Sequence, residues 1–292
     1  MIENDRRLHS NTARINQALD EAFPLSEENG LLEKSIRYTL LAPGKRIRPH
    51  LTLEFCKLFG QPAERALPYA CAIEMVHAAH IIADDLPCLD NGDLRRGRPT
   101  NHRVYGEATA TIAVSALFAQ ACNITATNPA LDSVTNARAV ALLAQKIGSD
   151  GMCGGEEQDI LNEDQQLEHD DLVRINRMKT GSLFEAACCL GCIAAGANEE
   201  DLANARTFAL NFGAAFQIID DLLDVTVPTK ELGKSALSDV KNLKTTFVSL
   251  YGKNGAAQLA HDYTEQAVQA IQSYPNSDYL VQFAYDMLER KK

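Results

Sequence analysis

In residues 74–90, EMVHAAHIIADDLPCLD, the residues Glu74, His77, Ile81 and Asp84 recur at spacings of three, four and three. That period places all four on one face of an α-helix, with His77 and Asp84 two turns, or roughly 10 Å, apart. Pro87 lacks the N–H of a further turn and disfavours helix at Leu86, so the chain turns soon after Asp85. Asp84, Asp85 and Asp90 therefore gather at a helix C-terminus, where negative charge is unfavourable unless a cation compensates it. Hard oxygen ligands of this kind suit Mg²⁺; the alternative reading is a solvated acidic helix end. Arg95 and Arg96 follow within a few residues, and a guanidinium fork matches phosphate oxygens. The competing explanation is a salt-bridged loop.

About 135 residues later FQIIDDLLD (216–224) repeats the theme. Asp220 and Asp224 are four apart and share a face, while Ile218, Ile219, Leu222 and Leu223 supply an apolar wall. Carboxylates beside such a wall are costly unless they bind a cation or face water. Two such clusters on separate helices can clamp one polyphosphate through bridging metals, with Lys179, Thr180, Lys234 and Lys244 as further phosphate donors.

Working outward, helical spacing recurs and no strand alternation persists. Helices are predicted over about 2–23, 29–42, 46–59, 63–86, 103–127, 131–147, 150–162, 168–196, 199–225 and 245–273, with a short one at the C-terminus. The expected fold is all-α, a single domain over residues 1–292. The breaks carry the polar chemistry: the basic loop APGKRIRP (42–49), the Asp- and Arg-rich stretch 86–99, and residues 227–243. A net charge of −11 removes any global electrostatic case for nucleic acid or an anionic membrane surface. Residues 108–131 are uncharged but carry Thr, Ser, Gln and Asn, which reads as a buried helix of a soluble bundle rather than a stable membrane insertion. Cys189 and Cys192 form a lone C-x-x-C without a second pair at zinc-site spacing, so they read as small core residues in a reducing compartment. The N-terminal Met-Ile-Glu-Asn-Asp has no apolar signal core, and a cytoplasmic protein is expected.

Taken together, Asp84-Asp85-x4-Asp90 followed by Leu94-Arg95-Arg96-Gly97, and Asp220-Asp221-x2-Asp224 preceded by Phe216-Gln217, resemble the trans-isoprenyl diphosphate synthases of the farnesyl and geranylgeranyl type. Gly44-Lys45-Arg46-Ile47-Arg48-Pro49 resembles that family's isopentenyl diphosphate loop, and Lys179-Thr180-Gly181 its K-T-G segment. The resemblance implies a helical bundle around a central cavity with the two aspartate motifs facing each other. It assigns isopentenyl diphosphate to Lys45, Arg48, His77 and Arg96, and the allylic diphosphate to Arg95, Lys179, Lys234 and Lys244. Three Mg²⁺ ions fall to Asp84, Asp85, Asp90, Asp220 and Asp224, with Thr180 and Gln217 near the allylic carbon. A homodimer is expected on the same ground.

Several positions depart from the family pattern. Glu156 stands where Gln is usual, Leu237 where Gly is familiar, and Ala83 where His is frequent. Leu243 precedes Lys244 without the usual Gly, and Phe247-Val248 replaces a Tyr-Pro pair. These changes imply altered efficiency rather than lost chemistry. Product length is read from the turn before Asp84: small Ala79 favours a C20 product over C15, while His80 in place of a usual Ser narrows the same channel. A non-catalytic subunit of a heteromeric synthase and a class I terpene cyclase are the rival readings. A cyclase leaves the Lys45/Arg48 loop unexplained.

Overall fold

The computed structural model describes residues 2–24, 30–226 and 244–290. Its helices are α1 (Ile2–Ala22), α2 (Leu31–Leu40), α3 (Ile47–Leu58), α4 (Leu67–Asp84), α5 (Asn101–Tyr105), α6 (Glu107–Ala126), α7 (Ser133–Ile147), α8 (Met152–Leu161), α9 (His169–Asn176), α10 (Ser182–Ala195), α11 (Glu199–Asp224), α12 (Phe247–Ile271) and α13 (Asp278–Leu288). The expected all-α architecture is found, and the helices fall close to the ranges that spacing predicts. Two two-residue strands, β1 (Leu94–Arg95) and β2 (Arg98–Pro99), pair antiparallel as a small hairpin. Lys234, Leu237 and Leu243 lie outside the described residues.

Local chemistry sets the helix ends. Pro68 sits in the first turn of α4, where its missing N–H costs nothing. Asn198 and Asp201 form a capping box on α11, as Thr246 and Ser249 do on α12. The helix expected over 168–196 is continuous but contains one π-turn, Arg177–Gly181, between α9 and α10. Such wide turns often mark functional positions.

α4 and α10 are apolar nearly all round and occupy the centre: every residue from Ser182 to Ala194 is buried, as are Tyr69–Val76, Ala78, Ala79 and Ile82. α3, α6 and α7 pack around them, and α11 runs against α12 on the other side. Cys56, Cys71, Cys188, Cys189 and Cys192 are buried free thiols, and burial pushes the Cys189 thiol up to about 12. Cys189 and Cys192 are core residues, as expected. α6 differs from expectation: among the described residues three helical stretches are long and apolar enough to span a membrane by composition, but only 28% of the α6 window is buried in the fold, against 72% and 78% for the other two. Its inner stripe of Ala110, Ala113, Leu117 and Ala121 packs on the core, whereas Thr111, Ile112, Ser115, Ala119 and Asn123 are exposed. The absence of charge therefore marks an uncovered helix face rather than a buried helix.

The two ends of the chain meet on α3. His50 is fully buried between Asn11 of α1, whose amide donates to Nδ1 at 3.0 Å, and the Tyr279 hydroxyl of α13, 2.9 Å from Nε2. Phe283 of α13 packs on the ring, and Glu54, Lys57 and Arg7 complete its charged surroundings. Burial, only partly opposed by Glu54, lowers the His50 pKa from 6.5 to about 4. Folding thus keeps His50 neutral, and the unfolded chain takes up the proton first. The associated stability is complete above pH 6.5 and declines as pH falls toward 4. Between pH 7 and pH 5, His50→Gln is expected to lose about 2 kcal/mol less stability than the parent chain, measured by urea unfolding at both pH values.

Candidate functional site

α4 ends at Asp84 with Asp85 as its C-cap, and the following turn closes through a 3.0 Å bond from the Asp90 amide to the Asp84 carbonyl. Far along the chain, the last turns of α11 deliver Asp220 and Asp221. Both aspartate groups line one cavity of about 450 Å³, together with Arg95, Asp159, Lys179, Thr180, Gln217 and Lys244. Asp224, one turn beyond Asp220, is buried and is not part of this described lining.

The acid side is dense. Arg95 bridges Asp84 Oδ2 at 3.1 Å and Asp85 Oδ1 at 2.7 Å. Lys179, held by the π-turn, lies 2.8 Å from Asp159 and 2.9 Å from Glu156. Lys244 lies 2.9 Å from the same Asp159 oxygen, 3.3 Å from Glu163 and 3.5 Å from Asp90. Three cations thus face six carboxylates among the described residues. The excess shows in the acidities. Burial, reinforced by Asp84, raises Asp90, and burial raises Asp85 despite Arg95. Burial would raise Asp84 too, but Lys179, His80 and Arg95 pull it below its ordinary value. Glu156 is pushed up to about 7 by burial, despite Lys179.

A divalent cation fits this arrangement. Asp84 Oδ1 is buried with no hydrogen-bond partner among the described residues, and Asp85 and Asp90 are held at raised pKa values that a cation would relieve. Deeper in, His80, Asp84 and Glu156 bring ligand atoms within 4.8 Å of one another, but the Lys179 ammonium already pairs with Glu156 and acts on Asp84 there.

Polar positioning continues along α11. The Thr180 hydroxyl donates to Gln217 Oε1 at 3.2 Å, and the Gln217 amide donates to Asp221 Oδ1 at 2.9 Å. Asp221 Oδ2 accepts from the Phe247 amide at 3.1 Å, at the first turn of α12. Asp221 thereby satisfies a helix N-terminus and orients Gln217.

An adjoining sector is basic. His77 lies in the field of Arg48 and Arg96; burial first, then these two charges, drives its pKa well below the usual value. Arg48 is lowered to about 10 by burial, and its guanidinium sits 4.3 Å over the Phe184 ring. Lys45 is lowered by burial and by Arg290, with Asp220 opposing. The β1–β2 turn separates neighbouring arginines: Arg96 (φ 54°) and Gly97 (φ 75°) both take the left-handed conformation of a two-residue hairpin turn. Arg95 consequently engages the aspartates, while Arg96 donates to the Ala42 carbonyl at 3.3 Å and lies against Gly44, where any Cβ would meet its guanidinium at 2.6 Å.

The basic loop is held from inside. Arg46, also left-handed at φ 50°, is buried and pairs with Glu74 of α4 while donating to the carbonyls of Leu40 and Ala42. Glu74, one of the four residues on the helix face that spacing defined, therefore anchors Arg46.

Lys45, Arg48, His77, Arg95, Arg96, Lys179, Thr180, Gln217, Lys244, Asp84, Asp85, Asp90 and Asp220 are brought together as two adjoining sectors, whereas Asp224 is buried off the cavity lining and Lys234 lies outside the described residues. Three participants escape a reading of the sequence. Asp159, three residues beyond Glu156 on α8, joins Lys179 to Lys244 and is visible in the chain only as part of an acidic stretch. Glu163 flanks Lys244 in the same way. Arg290 pairs with Asp220, donates to the Phe216 carbonyl at 3.0 Å and stacks 3.9 Å over the Phe216 ring, a contact spanning 74 residues that no local pattern announces.

A helical bundle with surplus carboxylates and paired cations lining one cavity, and a further cationic sector adjoining it, is suited to holding polyphosphate together with divalent metal. The family described as Polyprenyl synthetase matches residues 29–288, and the chain belongs to that family. It is 41% identical over 264 residues to a chloroplastic geranylgeranyl pyrophosphate synthase of Catharanthus roseus, covering 89% of this chain and 73% of that one. It is also 41% identical over 261 residues to the heterodimeric geranylgeranyl pyrophosphate synthase large subunit 1 of Arabidopsis thaliana, covering 87% and 70%. Among solved structures, an FPP/GFPP synthase from Zymomonas mobilis superposes with a TM-score of 0.88 at 30% identity, covering 98% of this chain and 99% of that one.

Removing one partner of the buried Arg46–Glu74 pair strands a charge. Glu74→Ala is expected to lower unfolding stability by about 3–5 kcal/mol, read from denaturant melts.

Proposed function

We propose that the protein is a short-chain trans-prenyltransferase that condenses isopentenyl diphosphate with dimethylallyl, geranyl or farnesyl diphosphate to give farnesyl or geranylgeranyl diphosphate. The observation that carries this reading is the convergence of both aspartate groups with Lys179, Lys244 and Arg95 on one cavity. The relatives named as geranylgeranyl pyrophosphate synthases support it.

Asp84, Asp85 and Asp90 from one side, and Asp220 and Asp224 from the other, would hold three Mg²⁺ ions. Bound there, the metal supplies Lewis-acid stabilisation of the departing diphosphate. Lys179, Lys244 and Arg95 add fixed positive charge where negative charge develops on the leaving group, with Lys234 as a further donor. The Thr180 and Gln217 dipoles, fixed through Asp221, face the allylic carbon as its C–O bond breaks. Lys45, Arg48, His77 and Arg96 hold isopentenyl diphosphate so that its double bond attacks that carbon. Attack leaves a cation on the isopentenyl unit, which loses a proton from the adjacent carbon to the released diphosphate as the new double bond forms, so no protein nucleophile is required. The apolar interior beneath the site keeps water from the cation. The complete aspartate set supports a catalytic chain over a regulatory subunit, and the Lys45/Arg48 sector supports a synthase over a cyclase.

The exposed, uncharged face of α6 supports a homodimer built on that helix. Ala79, fully buried on α4, supports a C20 product.

Purified protein with isopentenyl diphosphate and each of the C5, C10 and C15 primers is expected to give Mg²⁺-dependent prenyl diphosphates by mass spectrometry. Loss of product with excess chelator is expected; absence of product with every primer overturns the reading. Asp84→Ala and Asp220→Ala are each expected to cut turnover about 10³-fold or more without unfolding the chain, checked by circular dichroism. Near-normal turnover in either folded variant removes that cluster from the metal site.

A further inference from the structure

Two residues far apart in sequence meet in space. His80 Nε2 of α4 lies 3.5 Å from Glu156 Oε2 of α8. Both side chains are largely buried, and Glu156 also holds the Lys179 ammonium at 2.9 Å. This convergence is built into the backbone. Gly155 lets α8 press onto the π-turn so closely that an added Cβ would lie 2.2 Å from the Lys179 amide nitrogen.

The trio sits where the open site stops. The 450 Å³ cavity is lined by Asp84, Asp159 and Lys179, but not by His80, Glu156 or Ala79. One turn deeper on the same helix faces, Val76 and Met152 are fully buried and apolar. A hydrocarbon chain growing from a diphosphate at Lys179 must therefore pass the polar His80–Glu156 contact before it reaches an apolar wall. Passing it parts Glu156 from its partners in a dry setting, which is unfavourable for a carboxylate.

Resting on the prenyltransferase reading, we propose that Glu156 is a second determinant of product length. It fixes His80 across the channel, so that the pair limits the chain beyond the room that small Ala79 leaves. A neutral side chain at either position releases the latch. Because the two act as one unit, their effects are not additive.

The test compares the parent chain, Glu156→Gln, His80→Ser and the double variant, with product lengths read by mass spectrometry from the farnesyl primer. Each single variant is expected to raise at least tenfold the share of product one C5 unit longer than the main parent product. The double variant is expected to match the more affected single. A parent-like length distribution in Glu156→Gln overturns the proposal, whatever His80→Ser does, as does full additivity in the double variant. These outcomes leave the prenyltransferase reading intact, since that reading fails only if the parent chain forms no prenyl product. If turnover of a variant is too low to compare, calorimetric binding of the C15 and C20 diphosphates decides instead: Glu156→Gln must favour C20 over C15 at least tenfold more than the parent chain does. An unchanged preference overturns the proposal.

Discussion

Excess negative charge around a partly dry cavity is what the site's architecture has to contain. Lys179 does most to contain it. Its ammonium is shared by Asp159 and Glu156, and burial would lower its pKa had the charges of Asp84, Asp159 and Glu156 not raised it instead. The π-turn presents that ammonium and the neighbouring Thr180 hydroxyl toward the cavity just before the buried α10. Lys244 repeats the device from the start of α12, again through Asp159. Withdrawing Asp159 leaves two ammonium groups facing each other, so this carboxylate governs how closely they approach.

Such a cluster needs a rigid frame, because small displacements of paired buried charges are costly. α4 and α10 supply it by being apolar nearly all round, which leaves them little freedom to shift. α4 also carries Glu74, His77, His80 and Asp84 in sequence along its length. These four serve the loop anchor, the basic sector, the latch and the acid sector in turn. A single helix thus spaces chemically opposed regions at fixed intervals of about one turn.

Much of this is legible in the chain. The 3.6-residue period places the helices, and the paired acid runs place the site, because both signals are local. Phe216-Gln217 flags a polar group on an apolar face, and the structure shows why it is there: Gln217 links Thr180 to Asp221. What is not legible depends on distant contacts. The π-turn leaves the hydrophobic pattern of 168–196 unbroken. Arg290 meets Asp220 because α13 packs back against α11 and α12. The exposure of α6 is hidden from the sequence because a small, uncharged face suits a core and an uncovered surface equally well.

The hairpin turn at Arg96–Gly97 has a geometric consequence. Arg95 and Arg96 are joined by a single peptide, yet one reaches the aspartates and the other the basic loop. Their Cα atoms are held about 3.8 Å apart by covalent geometry rather than by helix packing. Under the proposed function, the two substrate headgroups are gauged against a ruler one residue long. Breathing of the bundle can widen the cavity while the separation between the two anion sites stays tied to that bond. A residue inserted between these arginines would change the gauge itself, even with every charge still present.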